Sequence, residues 1–333
     1  MVSILYTFDR AFMAKTFVAI DRSVAADSAY LPLRPEARGA CSEIAAVRAR
    51  IEDAADLDAA VRAVDPDVVV QNHRFEASSL DGTPEFHREY PVVHARHGAS
   101  VGRGEEWNTT RDLGDAVDLA LAPGDRWAAH YRREFPASVE VAVVGIPEAD
   151  ALVGREPPRG RRVLYAPTNH NYGGGCYVET AERVLDVFAG TDYELLFRPH
   201  PMDRIEEPGR SLTERCRDRI DELPNVVFDD DRTPRESLLA ADVLLSDYSG
   251  IVTEWLHTGR PLIQSTAIAA DRPVPTLGVQ TDRLTVDLVD RVYEEGHPPG
   301  VEAAREEALA DLGIPIDGRA GERAAAEVVA CTR

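Results

Sequence analysis

Short, continuous apolar runs recur along the chain, and between them apolar residues return at helical spacing. Continuous runs suit strands buried on both faces, and alternation of the two patterns is that of α/β layering around a parallel sheet. In the first half the runs predict strands at 2–7, 67–71, 91–95, 117–121 and 140–144. The segment "EIAAVRARIEDAADLDAAVRAV", rich in alanine, glutamate and arginine, predicts a helix between the first two. A second helix, 124–134, opens at "APGD" and stops near Pro136.

The pattern breaks at "GIPEADALVGREPPRGRR", whose proline, glycine and charge suit a connection between domains. A second series follows, with strands predicted at 162–166, 193–197, 225–228, 242–246 and 261–264 and helices near 177–189, 211–222, 234–240 and 249–258. The Ala- and Glu-rich tail predicts one or two closing helices. The chain therefore divides into a domain at 1–150, a linker at 151–161, a second domain at 162–300 and a closing segment at 301–333. Two comparable α/β halves predict two Rossmann-like domains facing a cleft, with ligands outside the carboxyl ends of the strands.

Four of those strand ends carry chemistry. "PVVHARHGAS" ends a strand with His94, His97 and Gly98, and "RVLYAPTNHNYGGG" ends another with Thr168, Asn169, His170 and the glycines 173–175. "YELLFRPHP" ends with Arg198 and His200, and "LLSDYSGIVTEWLHTGRPLI" passes from strand to helix through Asp247, Tyr248, Ser249 and Gly250. A helix start offers unsatisfied N–H groups and partial positive charge to a phosphate, with Ser249 and Thr253 as added hydroxyl donors. The plainer reading of Ser249 is a helix cap. Arg198 and His200 suit the charge of phosphate oxygens, arginine through its bidentate fork, although so short a motif also fits a surface loop. The glycine run reads as a flexible turn. His97 is the general-base candidate, with glycine beside it leaving room for substrate. Pairing of His94 and His97 on a metal is opposed by their i, i+3 spacing, which points to opposite faces of a strand, and a structural histidine is the other option.

Charge narrows the partners. The formal net charge of -21 repels nucleic acid and anionic lipid as broad surfaces. Lys15 is the one lysine among 37 lysine and arginine residues. Strong acidity with almost no lysine predicts a protein working in high salt, or else a GC-rich genome. The four cysteines, Cys41, Cys176, Cys216 and Cys331, are scattered without metal-ligand spacing and read as structural thiols. No apolar run is long enough to span a bilayer and the N-terminus lacks a signal-peptide pattern, which predicts a cytoplasmic protein.

The four strand-end segments, in this order, resemble the CDP-glycerol glycerophosphotransferase family over about residues 90–265. Its HG motif matches His97-Gly98, its Y-A-P-T segment Tyr165 to Thr168, its R-P-H-P segment Arg198 to Pro201, and its (T/S)-D-Y-S-S segment Ser246 to Gly250. The resemblance implies the two-domain GT-B fold, with the acceptor on the first domain and the donor on the second. It implies that His97 deprotonates an acceptor hydroxyl, that His200 sits beside the donor pyrophosphate, and that Asp247, Ser249 and the helix they introduce hold the nucleotide diphosphate. Gly98, Thr168, Arg198, Gly250, Thr253 and Glu254 complete the expected donor site.

The implied reaction moves a polyol phosphate from a CDP-activated donor to a cell-surface glycan or lipid-linked acceptor and releases CMP. Its setting would be the cytoplasm or the cytoplasmic face of the membrane, as a peripheral protein. These motifs identify no certain cofactor, and Mg²⁺ alongside a nucleotide is compatible with them. Departures from the family pattern are Asn169 and His170, where an aromatic residue and arginine are usual, Gly250 in place of the second serine, Glu254 where aspartate is common, and Arg103 as the cation nearest the HG motif in place of lysine. Two other functions stay open: a nucleotide-sugar glycosyltransferase releasing a diphosphate, with Glu254 on a ribose hydroxyl, and a nucleotide- or glycan-binding subunit without turnover.

Overall fold

A computed structural model describes residues 1–34, 37, 47–72, 82–99, 101, 111–171, 174–268 and 275–332. The chain divides into two compact units. The first takes Met1–Gly98, most of the chain on to Ala151, and Leu312–Arg333; the second is built mainly of Leu152–Asp311. Each unit carries one parallel six-stranded sheet.

In the first unit the strands are β1 (Ser3–Phe8), β2 (Asp27–Pro32), β3 (Val68–Gln71), β4 (Val92–Ala95), β5 (Leu119–Ala122) and β6 (Glu140–Val143), in the order β2-β1-β3-β4-β5-β6. Ile4, Leu5, Tyr6, Val68, Val69, Val70, Val92 and Val93 are all buried, as a strand covered on both faces requires. Connecting helices are α1 (Ala14–Asp21), α2 (Ala54–Val64), α3 (Arg111–Gly114) and α4 (Asp125–Glu134). Phe17 and Ile20 of α1 pack on Tyr6 and Val70, together with Ala324, Ala325 and Val328 from the far end of the chain. Burying a side chain such as Phe17 contributes about 2 kcal/mol.

In the second unit β7 (Arg162–Tyr165), β8 (Glu194–Phe197), β9 (Val226–Phe228), β10 (Val243–Ser246), β11 (Leu262–Ser265) and β12 (Val279–Thr281) run in the order β12-β11-β10-β7-β8-β9. The helices are α5 (Tyr177–Phe188), α6 (Gly209–Ile220), α7 (Pro234–Ala240), α8 (Gly250–Trp255), α9 (Val286–Glu295) and α10 (Pro299–Leu312). From β7 the chain moves to β8 and β9 on one side. From β10 it moves to β11 and β12 on the other. The loops after β7 and β10 thus diverge from adjacent strands, which is the switch point where doubly wound sheets open a crevice.

The structure corrects the element pattern at several points. The helix expected from residue 43 begins at Ala54, because the Asp53 carboxylate caps it by accepting from Asp56 N at 2.9 Å. Residues 47–52 precede it as non-helical chain, and 43–46 lie outside the described residues. The edge strands β2 and β12 and the helices α1 and α9 were absent from the apolar pattern. Finally, 301–333 is not one closing segment: α10 stays with the second unit, while α11 (Ala320–Ala330) returns to the first. There Asp150 accepts from Ala320 N at 3.0 Å and Gly321 N at 2.7 Å, satisfying two N–H groups of the α11 start.

Candidate functional site

In the second unit the β7 and β10 loops are tied together by one carboxylate. Asp247, fully buried, accepts from Thr168 N at 3.1 Å, Thr168 Oγ1 at 2.5 Å, Cys176 N at 2.9 Å, Tyr248 N at 2.7 Å and Ser249 N at 3.0 Å. Gln264 Nε2 donates to the Asp247 carbonyl at 3.0 Å from the neighbouring strand. So many donors keep the Asp247 charge satisfied inside the protein. The close approach has a steric condition. A Cβ on Gly175 would lie 2.2 Å from the Thr168 carbonyl oxygen, so the described part of the glycine run is a seat for the loop rather than a merely flexible turn. Gly173 lies outside the described residues.

This arrangement sorts the expected donor-binding residues into two groups. Asp247, Thr168 and Thr253 spend their polar atoms on the protein itself, Thr253 Oγ1 donating to the Gly250 carbonyl at 2.7 Å, and Glu254 is buried with them. Asp247 thus shapes the loop from beneath, its oxygens engaged by protein donors. Ser249 and Gly250 are only partly buried. Ser249 stands at the N-cap of α8, yet its hydroxyl makes no capping bond, which separates it from the plain cap reading.

The β8 loop is anchored in a second buried cluster. Arg198 Nη1 donates to Asp229 Oδ2 at 3.1 Å, to the Asp229 and Arg232 carbonyls at 2.9 and 3.0 Å, and to Ser237 Oγ at 3.2 Å. Among the described residues all of its bonds leave from that one nitrogen, so the guanidinium is fixed while Nε and Nη2 keep their donors. His200 Nδ1 accepts from Met202 N at 3.2 Å, which puts the proton of the neutral ring on Nε2.

Sequence reasoning missed the group that joins these loops. Asp203, three residues beyond His200, accepts from Asn169 Nδ2 at 2.8 Å and His170 N at 3.3 Å. Burial, then the charges of Glu206 and Asp247, push its carboxyl up to about 7, against partial relief from the His170 N–H. Asn169 is fully buried. Its departure from the family pattern thus has a structural use, holding the β7 loop to the β8 loop. The Asp at the end of "RPHPMD" was the available signal.

In the first unit His97 and Gly98 follow β4. Gly98 has φ 64°, the left-handed region that glycine occupies without strain, so this glycine makes the turn as well as leaving room beside the histidine. The ring of Phe12 meets that of His97 edge-on at 5.2 Å. Gly98 N donates to the buried Glu148 at 3.3 Å, and Thr16 Oγ1 donates to the same oxygen at 3.0 Å. Glu148 was another omission, visible only as an unexplained acid in "GIPEAD". His94 is buried within β4, its ring 5.8 Å from that of Tyr131. Among the described residues no cluster of three or more His, Cys, Asp or Glu could hold a metal ion. Burial raises the Cys176 thiol well above its ordinary range and that of Cys216 to about 12, which makes both poor nucleophiles; Cys41 lies outside the described residues. Among the described residues no helix is long and apolar enough to cross a membrane.

Two doubly wound units, each with its polar residues at strand carboxyl ends, are those of a GT-B protein. Solved structures share this fold along nearly the whole chain. The wall teichoic acid polymerase TagF is 12% identical with a TM-score of 0.68, covering 99% of this chain and 88% of that one. S. aureus MnaA with UDP is 16% identical at a TM-score of 0.62, covering 97% and 94%. The Anabaena protein HepE, in complex with UDP and glucose, is 11% identical at 0.58, covering 99% and 100%. At these identities the likeness is one of fold. Among curated protein sequences there is no match. The particular family comes from the sequence: the model of the CDP-Glycerol:Poly(glycerophosphate) glycerophosphotransferases matches residues 90–267, more than half of the chain. The chain belongs to that family of transferases.

Proposed function

We propose that the protein transfers a polyol phosphate, glycerol phosphate or a close relative, from a CDP-activated donor to a hydroxyl of a cell-surface glycan or lipid-linked acceptor, releasing CMP. The observation that carries this reading is the family match over 90–267, whose span includes every strand-end loop described above. In this reading the second unit holds the donor. Ser249 Oγ and the N–H groups at the start of α8 meet the diphosphate, and the anchored Arg198 offers Nε and Nη2 to its oxygens. His200, with its proton on Nε2, donates to the leaving phosphate. Thr168, Asp247, Thr253 and Glu254 position these groups from below.

In the first unit His97 takes the proton of the acceptor hydroxyl as its oxygen attacks the β-phosphorus of the donor. The bond from that phosphorus to the bridging oxygen breaks, and CMP departs with the electron pair. Such a reaction needs positioning and charge neutralisation more than covalent help. Mg²⁺ bound with the nucleotide would add to that neutralisation. A cytoplasmic location, peripheral at the membrane where lipid-linked acceptors lie, completes the proposal.

The test is the identity of the released nucleotide. Incubated with CDP-glycerol and a glycan or glycerol-terminated acceptor, the protein releases CMP, seen by mass spectrometry. Release of a nucleoside diphosphate from nucleotide sugars, with none from CDP-glycerol, would instead make it a glycosyltransferase. Nucleotide binding without any turnover would make it a binding subunit.

A further inference from the structure

The one lysine in the chain stands beside the HG turn. Among 37 lysine and arginine residues Lys15 alone is lysine, and it lies in the first turn of α1, the helix that follows β1. Strands β1 and β3 are neighbours from which the chain departs in opposite directions, so α1 begins at the switch point of the first sheet. The Lys15 ammonium is 3.7 Å from Glu148 Oε1, the same oxygen that accepts from Gly98 N and Thr16 Oγ1. One carboxylate oxygen therefore separates the ammonium from the His97–Gly98 turn. Within the 3-10 turn Ala11–Met13 that leads into α1, Phe12 packs its ring on that of His97.

The geometry points to Lys15 as an acceptor-selecting residue, whose ammonium, held by Glu148 at the His97 turn, binds a phosphodiester adjoining the hydroxyl that reacts. This rests on the reading of His97 as the base for that hydroxyl. Three observations converge on it. Glu148 is buried, at 6% side-chain exposure, whereas Lys15 keeps 27%, so the pair presents its cation outward and its anion inward. A net charge of -21 repels a polyanionic acceptor as a whole, and a local cation beside the base is what allows its end to settle. Elsewhere the chain uses arginine for every strong cation. At this one position it keeps a compact ammonium on a flexible stem, which can share its three donors between Glu148 and a phosphate oxygen. The ligand class is a chain ending in a polyol hydroxyl with a phosphodiester one polyol away.

Two acceptors separate this role from a structural one: glycerophosphoglycerol, which carries the phosphodiester, and diglycerol, which ends in the same hydroxyls but is neutral. With CDP-glycerol as donor, Lys15→Met is expected to lower the ratio of kcat/KM for the charged over the neutral acceptor by roughly tenfold or more, the loss of one charge-assisted contact. An unchanged ratio overturns the proposal and leaves Lys15 as a counter-ion for Glu148. A second measurement needs no turnover and no variant. Acetic anhydride modifies only Lys15 and the N-terminal amine among the primary amines, and glycerophosphoglycerol is expected to slow modification of Lys15 several-fold relative to the N-terminus. Equal rates with and without it also overturn the proposal. Absence of CMP with either acceptor would defeat the transferase reading, and slowed acetylation would still establish the phosphodiester site.

Discussion

Asp203 shows how a single buried carboxyl can report on the loops of the second unit. Its carboxyl is raised to about 7 by burial first and by Glu206 and Asp247 after that. In the unfolded chain an aspartate ionises near pH 4, so the folded protein binds the extra proton between about pH 4 and 7. The resulting stability is fully present below pH 4 and is lost as pH rises through 7. Asp203→Asn keeps an acceptor for Asn169 Nδ2 and His170 N and removes the titration. Relative to wild type, the variant is expected to gain on the order of 2 kcal/mol in unfolding free energy between pH 5 and pH 8. Urea titrations at the two pH values measure it; parallel pH profiles would mean that Asp203 is already ionised. Such an effect was not legible in the sequence. His97, Arg198, His200 and Ser249 could be picked out because polar residues at strand ends are conspicuous. Burial of Asp247, Thr168 and Asn169 could not, since it depends on how two loops from distant parts of the chain close over each other.

At the scale of elements, the apolar runs were a sufficient guide wherever a strand lies inside a sheet. Their ten predicted strands correspond to β1, β3 to β11 in order. At the edges they found β6 and β9 and missed β2 and β12. β2 pairs with β1 alone and its sequence, "DSAYLP", has polar residues at its open end and proline at its close, which an edge strand tolerates and a central one does not. The shortened α2 has the same lesson for helices: average propensity across residues 43–64 favoured helix, and one capping aspartate decided where it began. Gly175 makes the connection to the site. With 2.2 Å between its would-be Cβ and the Thr168 carbonyl oxygen, Gly175→Ala forces the β7 loop off Asp247. The expected cost is about 2 kcal/mol in stability, with weakened nucleotide binding seen by calorimetry. Wild-type affinity in that variant would show that the loop relaxes without consequence.

At the scale of the molecule, 58 acidic against 37 basic residues leave an excess that solvent ions must screen. Self-repulsion of this size weakens as the Debye length falls from about 10 Å at 0.1 M salt to about 3 Å at 1 M. The melting temperature is therefore expected to rise by several degrees between 0.1 M and 2 M KCl, and a flat profile would count against the high-salt reading of the composition. Net charge also bears on the proposed function: an acidic protein acting on phosphate-rich substrates would place cations where the chemistry occurs, and Lys15 in one unit and Arg198 in the other are the cations proposed for it. Removal of the acceptor proton by His97 is read by comparing wild type and His97→Ala for CMP released from CDP-glycerol and for CDP-glycerol binding. Turnover is expected to fall by roughly 10² to 10⁴ while the dissociation constant stays within about twofold. CMP release at the wild-type rate from His97→Ala would contradict that role of His97.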